Sequence, residues 1–245
     1  MNAVGIKTHK ITHKDKNIFP ILDLYLPRLH ESEIVVITSK IVSICEGRIV
    51  DRNKAEKDDL IKQEADLYLP RKYSKYNYSL TVRKQILSPA AGIDDSNGNG
   101  YFILLPKNPQ RSVNEIRSYL CKKFGIKHLG VIITDSKTNP LRRGSTGIGI
   151  AHSGFKALKS YVDKKDVFGV RMNLSTVNMM DSLAAVAVTQ MGEGNEQTPI
   201  AIIGDIPFVD FQTRNPNKKE LGELKVEIED DLYAPLLTRV PWEKE

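Results

Sequence analysis

Cysteine, tryptophan and long apolar runs are scarce in this 245-residue chain, and each scarcity excludes a class of protein. The two cysteines, Cys45 and Cys121, sit in no CxxC and near no histidine at ligand spacing, which argues against a disulfide scaffold or a thiolate zinc site. Both are expected to be buried thiols in a reducing compartment. The longest apolar runs, such as residues 34–38 and 130–133, fall far short of the roughly 20 residues that a membrane span needs. The opening stretch MNAVGIKTHKITHKDKN has no apolar segment of a secretory signal, so cytoplasmic residence and no membrane partner are expected. Groove-reading and RNA-binding motifs are missing, and the lysines are scattered. The net charge of +6 therefore suits a polyanionic small molecule better than nucleic acid, which is not expected as a partner.

What is present is an ordinary globular composition, long enough for one large domain or two small parts around a real core. Short strands and helices alternate irregularly, which favours a mixed α+β architecture over a clean doubly wound sheet. A first strand is expected over residues 3–12 and an amphipathic helix over 18–29, with Pro20 in its first turn. A buried strand at 34–37 runs into Thr38, Ser39 and Lys40. Two hydroxyls and a lysine at a strand end suit phosphate oxygens, and polar capping of a strand is an equal alternative. Further helices are expected over 58–69, over a segment opened by a Ser112–Glu115 capping box and stopped by Gly125, and over 178–191. Strands are expected over 79–87, 101–105, 129–134 and 200–203. The basic, tyrosine-rich RKYSKYNYSLTVRK reads as a loop feeding a strand, although its aromatics could stack bases. The lone His152 is expected to be structural.

Three oxygen-rich loops stand out. Residues 90–100, AAGIDDSNGNG, place Asp94 and Asp95 among glycines and amides, where magnesium is one reading and a tight turn, by itself, the plainer one. Asp135 ends a buried strand, the usual place for a ligand-binding carboxylate. The loop GEGNEQTP adds Glu193, Asn195, Glu196 and Gln197. Arg142 and Arg143 supply forked donors for carboxylate or phosphate, in a segment whose glycines suit either an anion cradle or a strand with a close neighbour. Carboxylates for divalent metals and cations for phosphates are together what phosphoryl transfer from a nucleoside triphosphate needs.

The ordered strings VVITSKIVS-x-x-EGRIV, AGIDxSN, GVIITDS, LRxGxTGI and MGEGxEQTP resemble the gamma-glutamyl ligase family that extends the deazaflavin precursor F-420-0. The resemblance runs from about Ile34 to Asp205. It implies one ligase domain over residues 1–245, with two interleaved lobes and a homodimeric assembly. It also implies GTP as co-substrate, L-glutamate and a deazaflavin acceptor as partners, and magnesium or manganese, joined by potassium in some members. In that family the acceptor carboxylate takes the gamma-phosphate of GTP, and the amine of glutamate attacks the acyl phosphate. Carried onto this chain, Asp94 and Asp135 would hold one metal while Ser136 and Glu193 help hold a second. Ser39 and Lys40 would meet phosphates and Asn97 the nucleotide. The loop of Met191, Gly192, Glu193, Gly194, Asn195, Glu196, Gln197 and Thr198 would wrap the nucleotide. Lys40 and Arg142 are the catalytic candidates, and Asp95 is read as a solvated turn residue. Two departures stand against the pattern: Ile44 replaces a second lysine, and GIKTHKIT replaces a GLP-like turn. The competing readings are gamma-glutamyl ligation to another acceptor such as folate, and a non-catalytic nucleotide-binding homologue.

Overall fold

The computed structural model describes residues 1–244. Strand β1 (Asn2–Ile6) and helix α1 (Ile18–Tyr25) precede β2 (Glu33–Thr38), which runs directly into α2 (Ser39–Cys45). There follow β3 (Ile49–Asp51), α3 (Lys57–Glu64), β4 (Leu67–Leu69), β5 (Leu80–Arg83), β6 (Ile86–Pro89) and β7 (Tyr101–Ile103). The second half holds α4 (Pro109–Phe124), β8 (Leu129–Thr138), β9 (Ser145–Ser153), β10 (Leu158–Ser160), β11 (Thr176–Asn178), α5 (Met179–Met191) and β12 (Ile200–Gly204). Two short helices, α6 (Lys218–Gly222) and α7 (Ala234–Leu237), lie in the tail.

The main sheet has the order β1-β12-β2-β8-β9, with β2 and β8 parallel and the other neighbours antiparallel. The central strands EIVVIT and LGVIIT are apolar at successive positions because both of their faces are covered. Successive side chains point to opposite faces. Val35, Ile37 and Ile133 therefore join Leu22 of α1, Val42 of α2 and Leu120 of α4 on one side. Ile34, Val36 and Ile132 join Phe155 and the α5 alanines Ala184 and Ala187 on the other. A Cβ at Gly147 of β9 would lie 2.5 Å from the Ala184 carbonyl oxygen, so the glycines here serve a close helix–strand contact. A smaller core of Leu60, Ile61, Ala90, Ile93, Phe102 and Leu104 joins α3 to β7 and the turn after β6. The architecture is the mixed α+β one expected, and no helix among the described residues is long and apolar enough to cross a membrane.

Several boundaries differ from expectation, each for a local reason. β1 stops at Ile6, opposite Ile200 where its antiparallel partner β12 begins, and residues 8–12 are irregular. α3 stops at Glu64, because Leu67–Leu69 pairs with β5 instead of continuing the helical face. The stretch 79–87 is two strands, reversed at Lys84 and Gln85, which adopt φ of 50° and 60° without a glycine to announce the turn. Asn108, not Ser112, caps α4: its side chain accepts from the Arg111 N–H, with Pro109 in the first turn. β8 continues to Thr138 past a register shift between Ile133 and Thr134. Cys45 is buried, which pushes its thiol pKa up to about 12, and Cys121 is half-buried.

His152 is structural, but it is not satisfied by hydrogen bonds. It is 1% exposed, its ring stands edge-on to Phe155 at 5.2 Å, and neither ring nitrogen has a hydrogen-bond partner among the described residues. Burial pulls its pKa down to about 4 from 6.5, against a small opposing pull from Glu220. Below pH 6.5 the unfolded chain takes up a proton that the folded chain refuses. This contribution is therefore intact above pH 6.5 and is lost as pH falls toward 4, by a total of about 3 kcal/mol. Urea titrations across that window should show this slope in the unmodified protein and a shallower one in His152→Leu.

Candidate active site

The parallel pairing sets Thr38 opposite Thr134, so Ser39 and Lys40 leave β2 beside Asp135 of β8. The register shift just before Asp135 is a β-bulge, a device that re-aims the following side chain at a sheet's end. The Ser39 hydroxyl stands 3.5 Å from Asp135 Oδ1. Asp94 arrives from the other core. Its backbone exchanges hydrogen bonds with Ile103 in both directions, and its Oδ2 lies 2.7 Å from Lys40 Nζ. The Ser96 N–H donates to Asp94 Oδ1 at 2.6 Å, and Lys40 also donates to the Ser96 hydroxyl at 3.2 Å.

The third contributor is the loop after α5. Ser136 donates to Glu193 Oε1 at 2.5 Å, and Asn97 Nδ2 donates to the Gly194 carbonyl at 3.0 Å, so this loop is tied to both acidic segments. Within it, Glu196 accepts from the Gly194 N–H at 2.8 Å and Thr198 donates to the Met191 carbonyl at 2.5 Å. The Thr8 N–H reaches back to the Gln197 carbonyl at 2.8 Å.

Together these segments line a cavity of about 690 Å³, within the size range of small-molecule sites. Lys40, Asp94, Asn97, Asp135 and Ser136 line it, as does every loop residue from Met191 to Thr198. Ser39 is buried behind the wall against Asp135. Asp95 lies outside, its carboxylate 3.6 Å from Lys57 and 3.9 Å from Arg52. Arg142 and Arg143 are exposed in the β8–β9 loop and line no part of the cavity. Segment 8–12, which the sequence marks only as a departure from the family pattern, also lines the cavity, with His9 held by Tyr25 at 2.9 Å and Asp15 at 3.1 Å; Asn99 and Val188, which line it too, carry no signal in the sequence. Both departures from the family pattern border the cavity: Ile44 also lines it, an apolar surface where the pattern has a cation.

The electrostatics are uneven. Burial raises the pKa of Asp94, but Lys40 and Ser96 outweigh it and hold that carboxyl below its usual range. Asp135 is pushed up to about 6, chiefly by burial, with Asp94 and Glu193 adding to the shift while the Ser136 N–H and Lys40 oppose it. Lys40 pairs with Asp94 and leaves Asp135 without an ion-pair partner, and a buried, poorly compensated carboxylate favours a further cation. Among the described residues, no three His, Cys, Asp or Glu side chains already stand close enough to hold a metal by themselves. The donor set nevertheless fits magnesium or manganese, hard ions that use one or two carboxylates and fill the remaining positions with water and phosphate oxygens.

Fold and cavity together define a mixed α+β protein with an acid-lined small-molecule site. The chain matches the model of the F420-0:Gamma-glutamyl ligase family over residues 5–205, and it belongs to that family. It is 32% identical to the coenzyme F420:L-glutamate ligase of Methanocaldococcus jannaschii, across 74% of this chain and 79% of that protein. It is 31% identical to the protein of that name from Methanococcus maripaludis strain S2, across 95% of this chain and 97% of the relative. Another of that name, from Methanopyrus kandleri, is 31% identical across 71% of this chain and 75% of its own length.

Gly92 links the two cores at the site. It holds φ of 70°, and a Cβ there would fall 2.8 Å from Leu105 Cδ1 and 3.2 Å from Asp135 Oδ2. Gly92→Ala should therefore lose about 1–3 kcal/mol of stability in urea unfolding, from backbone strain and crowding together.

Proposed function

We propose that this chain is a nucleoside-triphosphate-dependent ligase that joins L-glutamate to the deazaflavin F-420-0, with GTP as phosphoryl donor and magnesium or manganese as cofactor. The observation that carries the reading is the meeting of Asp94, paired with Lys40, with Asp135 and the Ser136–Glu193 pair in one cavity. In the reaction the acceptor carboxylate attacks the gamma-phosphorus and GDP leaves. The glutamate amine then attacks the acyl carbon, phosphate departs, and an amide is formed. Divalent metal, when bound, neutralises phosphate charge and polarises the P–O bonds.

Asp94 and Asp135 would hold one ion, and Ser136 with Glu193 would help hold a second. Lys40, a compact point charge that pairs with Asp94, would be the catalytic cation that meets the phosphates. Ser39, buried against Asp135, would bear on the phosphates only from behind the cavity wall. Asn97 and the loop from Met191 to Thr198 would close over the nucleotide, exchanging the Asn97–Gly194 contact for ligand. Arg142, on the projecting β8–β9 loop, would reach a carboxylate only from beyond the cavity wall. No residue is assigned to potassium. The apolar Ile44 and the altered segment 8–12 favour a second reading, in which the same chemistry serves another nucleotide or acceptor, folate included.

Asp94→Ala and Asp135→Asn should remain folded yet lose glutamate transfer by about 10²-fold or more, read by mass spectrometry of the acceptor. Asp135→Asn should melt no lower than the unmodified protein, since it removes a buried, poorly compensated charge. Full activity in either variant would remove the metal assignment.

A homodimer belongs to the same proposal. The excursion between β10 and β11 exposes Val167, Phe168 and Leu174 at 92%, 88% and 91%, an apolar surface of the kind a second copy covers. Phe168→Asp should convert a dimer to a monomer in light scattering. An unmodified chain that runs as a monomer would contradict this assembly.

A further inference from the structure

Immediately before the acidic loop the chain makes a left-handed turn in which Ala90, Ala91 and Gly92 hold φ of 53°, 52° and 70°. Alanine resists this conformation, and strained backbone persists only where its surroundings over-determine it. Two buried side chains of β5 supply that force. The Ala91 N–H donates to Thr81 Oγ1 at 2.9 Å, while the Thr81 hydroxyl donates to the Ser88 carbonyl at 2.7 Å. Arg83 Nη1 donates to the Ala91 carbonyl at 3.2 Å. Thr81 and Arg83 are 0% and 7% exposed.

Arg83 is itself fixed. It pairs with Glu64, whose other oxygen takes Arg48 Nη2 at 2.6 Å. Arg48 Nε in turn donates to the Leu105 carbonyl at 3.1 Å. The frame thus closes on Leu105, the residue against which Gly92 packs beside Asp135. None of Thr81, Arg83, Glu64 or Arg48 lines the cavity.

We propose that Thr81 and Arg83 are positioning residues that clamp both backbone polar groups of Ala91 in the left-handed turn and so set Asp94 opposite Asp135 before any ligand arrives. A forced turn one residue from Ile93 fixes where the following Asp94 backbone meets Ile103, and the separation of the two carboxylates follows from it. This inference rests on the metal reading above, and the test separates the two.

Manganese binding to the purified protein, without nucleotide or acceptor, is followed by the paramagnetic resonance signal of the free ion. Thr81→Val and Arg83→Lys, shown to be folded by circular dichroism, should bind manganese about tenfold more weakly, the size of effect one released strain of this kind produces. Thr81→Ser, which keeps the hydroxyl, should bind like the unmodified protein. Adding Ala91→Gly to Thr81→Val should recover much of the loss, because glycine adopts the turn unaided. No merely structural role of Thr81 predicts that rescue. Hydrogen exchange provides a check that needs no variant: the Ala91 amide should be protected in metal-free protein, and rapid exchange there would overturn the clamp. Unchanged manganese binding in folded Thr81→Val would also overturn it. Absence of manganese binding in the unmodified protein would instead sink the metal reading.

Discussion

The parallel ladder between β2 and β8, from Glu33 opposite Leu129 to Thr38 opposite Thr134, is the constraint on which the site depends. Parallel strands finish at the same end of the sheet, so polar residues that follow each buried run must come together there. That places Ser39, Lys40 and Asp135 side by side although nearly a hundred residues separate them in sequence. Helices cover both faces of this pair, which explains why its strands are apolar throughout. Chemistry is then possible only at the strand ends and in the loops beyond them.

The second feature is an imbalance of charge. Lys40 satisfies Asp94 at 2.7 Å and leaves Asp135, the more buried carboxylate, with little beyond a serine hydroxyl and the Ser136 N–H. A protein selected only for stability would not keep this arrangement, since an isostere without the charge costs nothing in desolvation. The strained turn at Ala90 and Ala91 is a second such cost at the same place. Both costs fall on the same cavity, where the proposed metal and nucleotide would offset them.

Much of this was legible in the sequence. The buried runs at 34–37, 129–134 and 200–203 read as strands because burial on both faces leaves nothing but apolar residues. The three oxygen-rich loops read as candidates because each sits at the end of a strand or of the alanine-rich helix. What escaped the sequence has a common physical cause: it depends on partners distant in the chain. Leu67–Leu69 continues a helical pattern and becomes a strand only because β5 lies alongside. Lys84, Gln85, Ala90 and Ala91 adopt left-handed backbone without glycine, through contacts such as those of Thr81 and Arg83. Segment 8–12 looks like the continuation of a strand, and its role as a cavity wall follows only from the Thr8–Gln197 bond and the path of the loop after α5. Asp94 and Asp95 are told apart in the sequence only through the family resemblance, and in the fold one faces Lys40 and the other Arg52 and Lys57.

The most direct test is mass spectrometry of deazaflavin F-420-0 after incubation with the purified chain, GTP, L-glutamate and magnesium or manganese. The account predicts a product heavier by glutamyl residues, formed only when nucleotide and divalent metal are both present. An unmodified acceptor under those conditions, or transfer that proceeds equally well without metal, would contradict it.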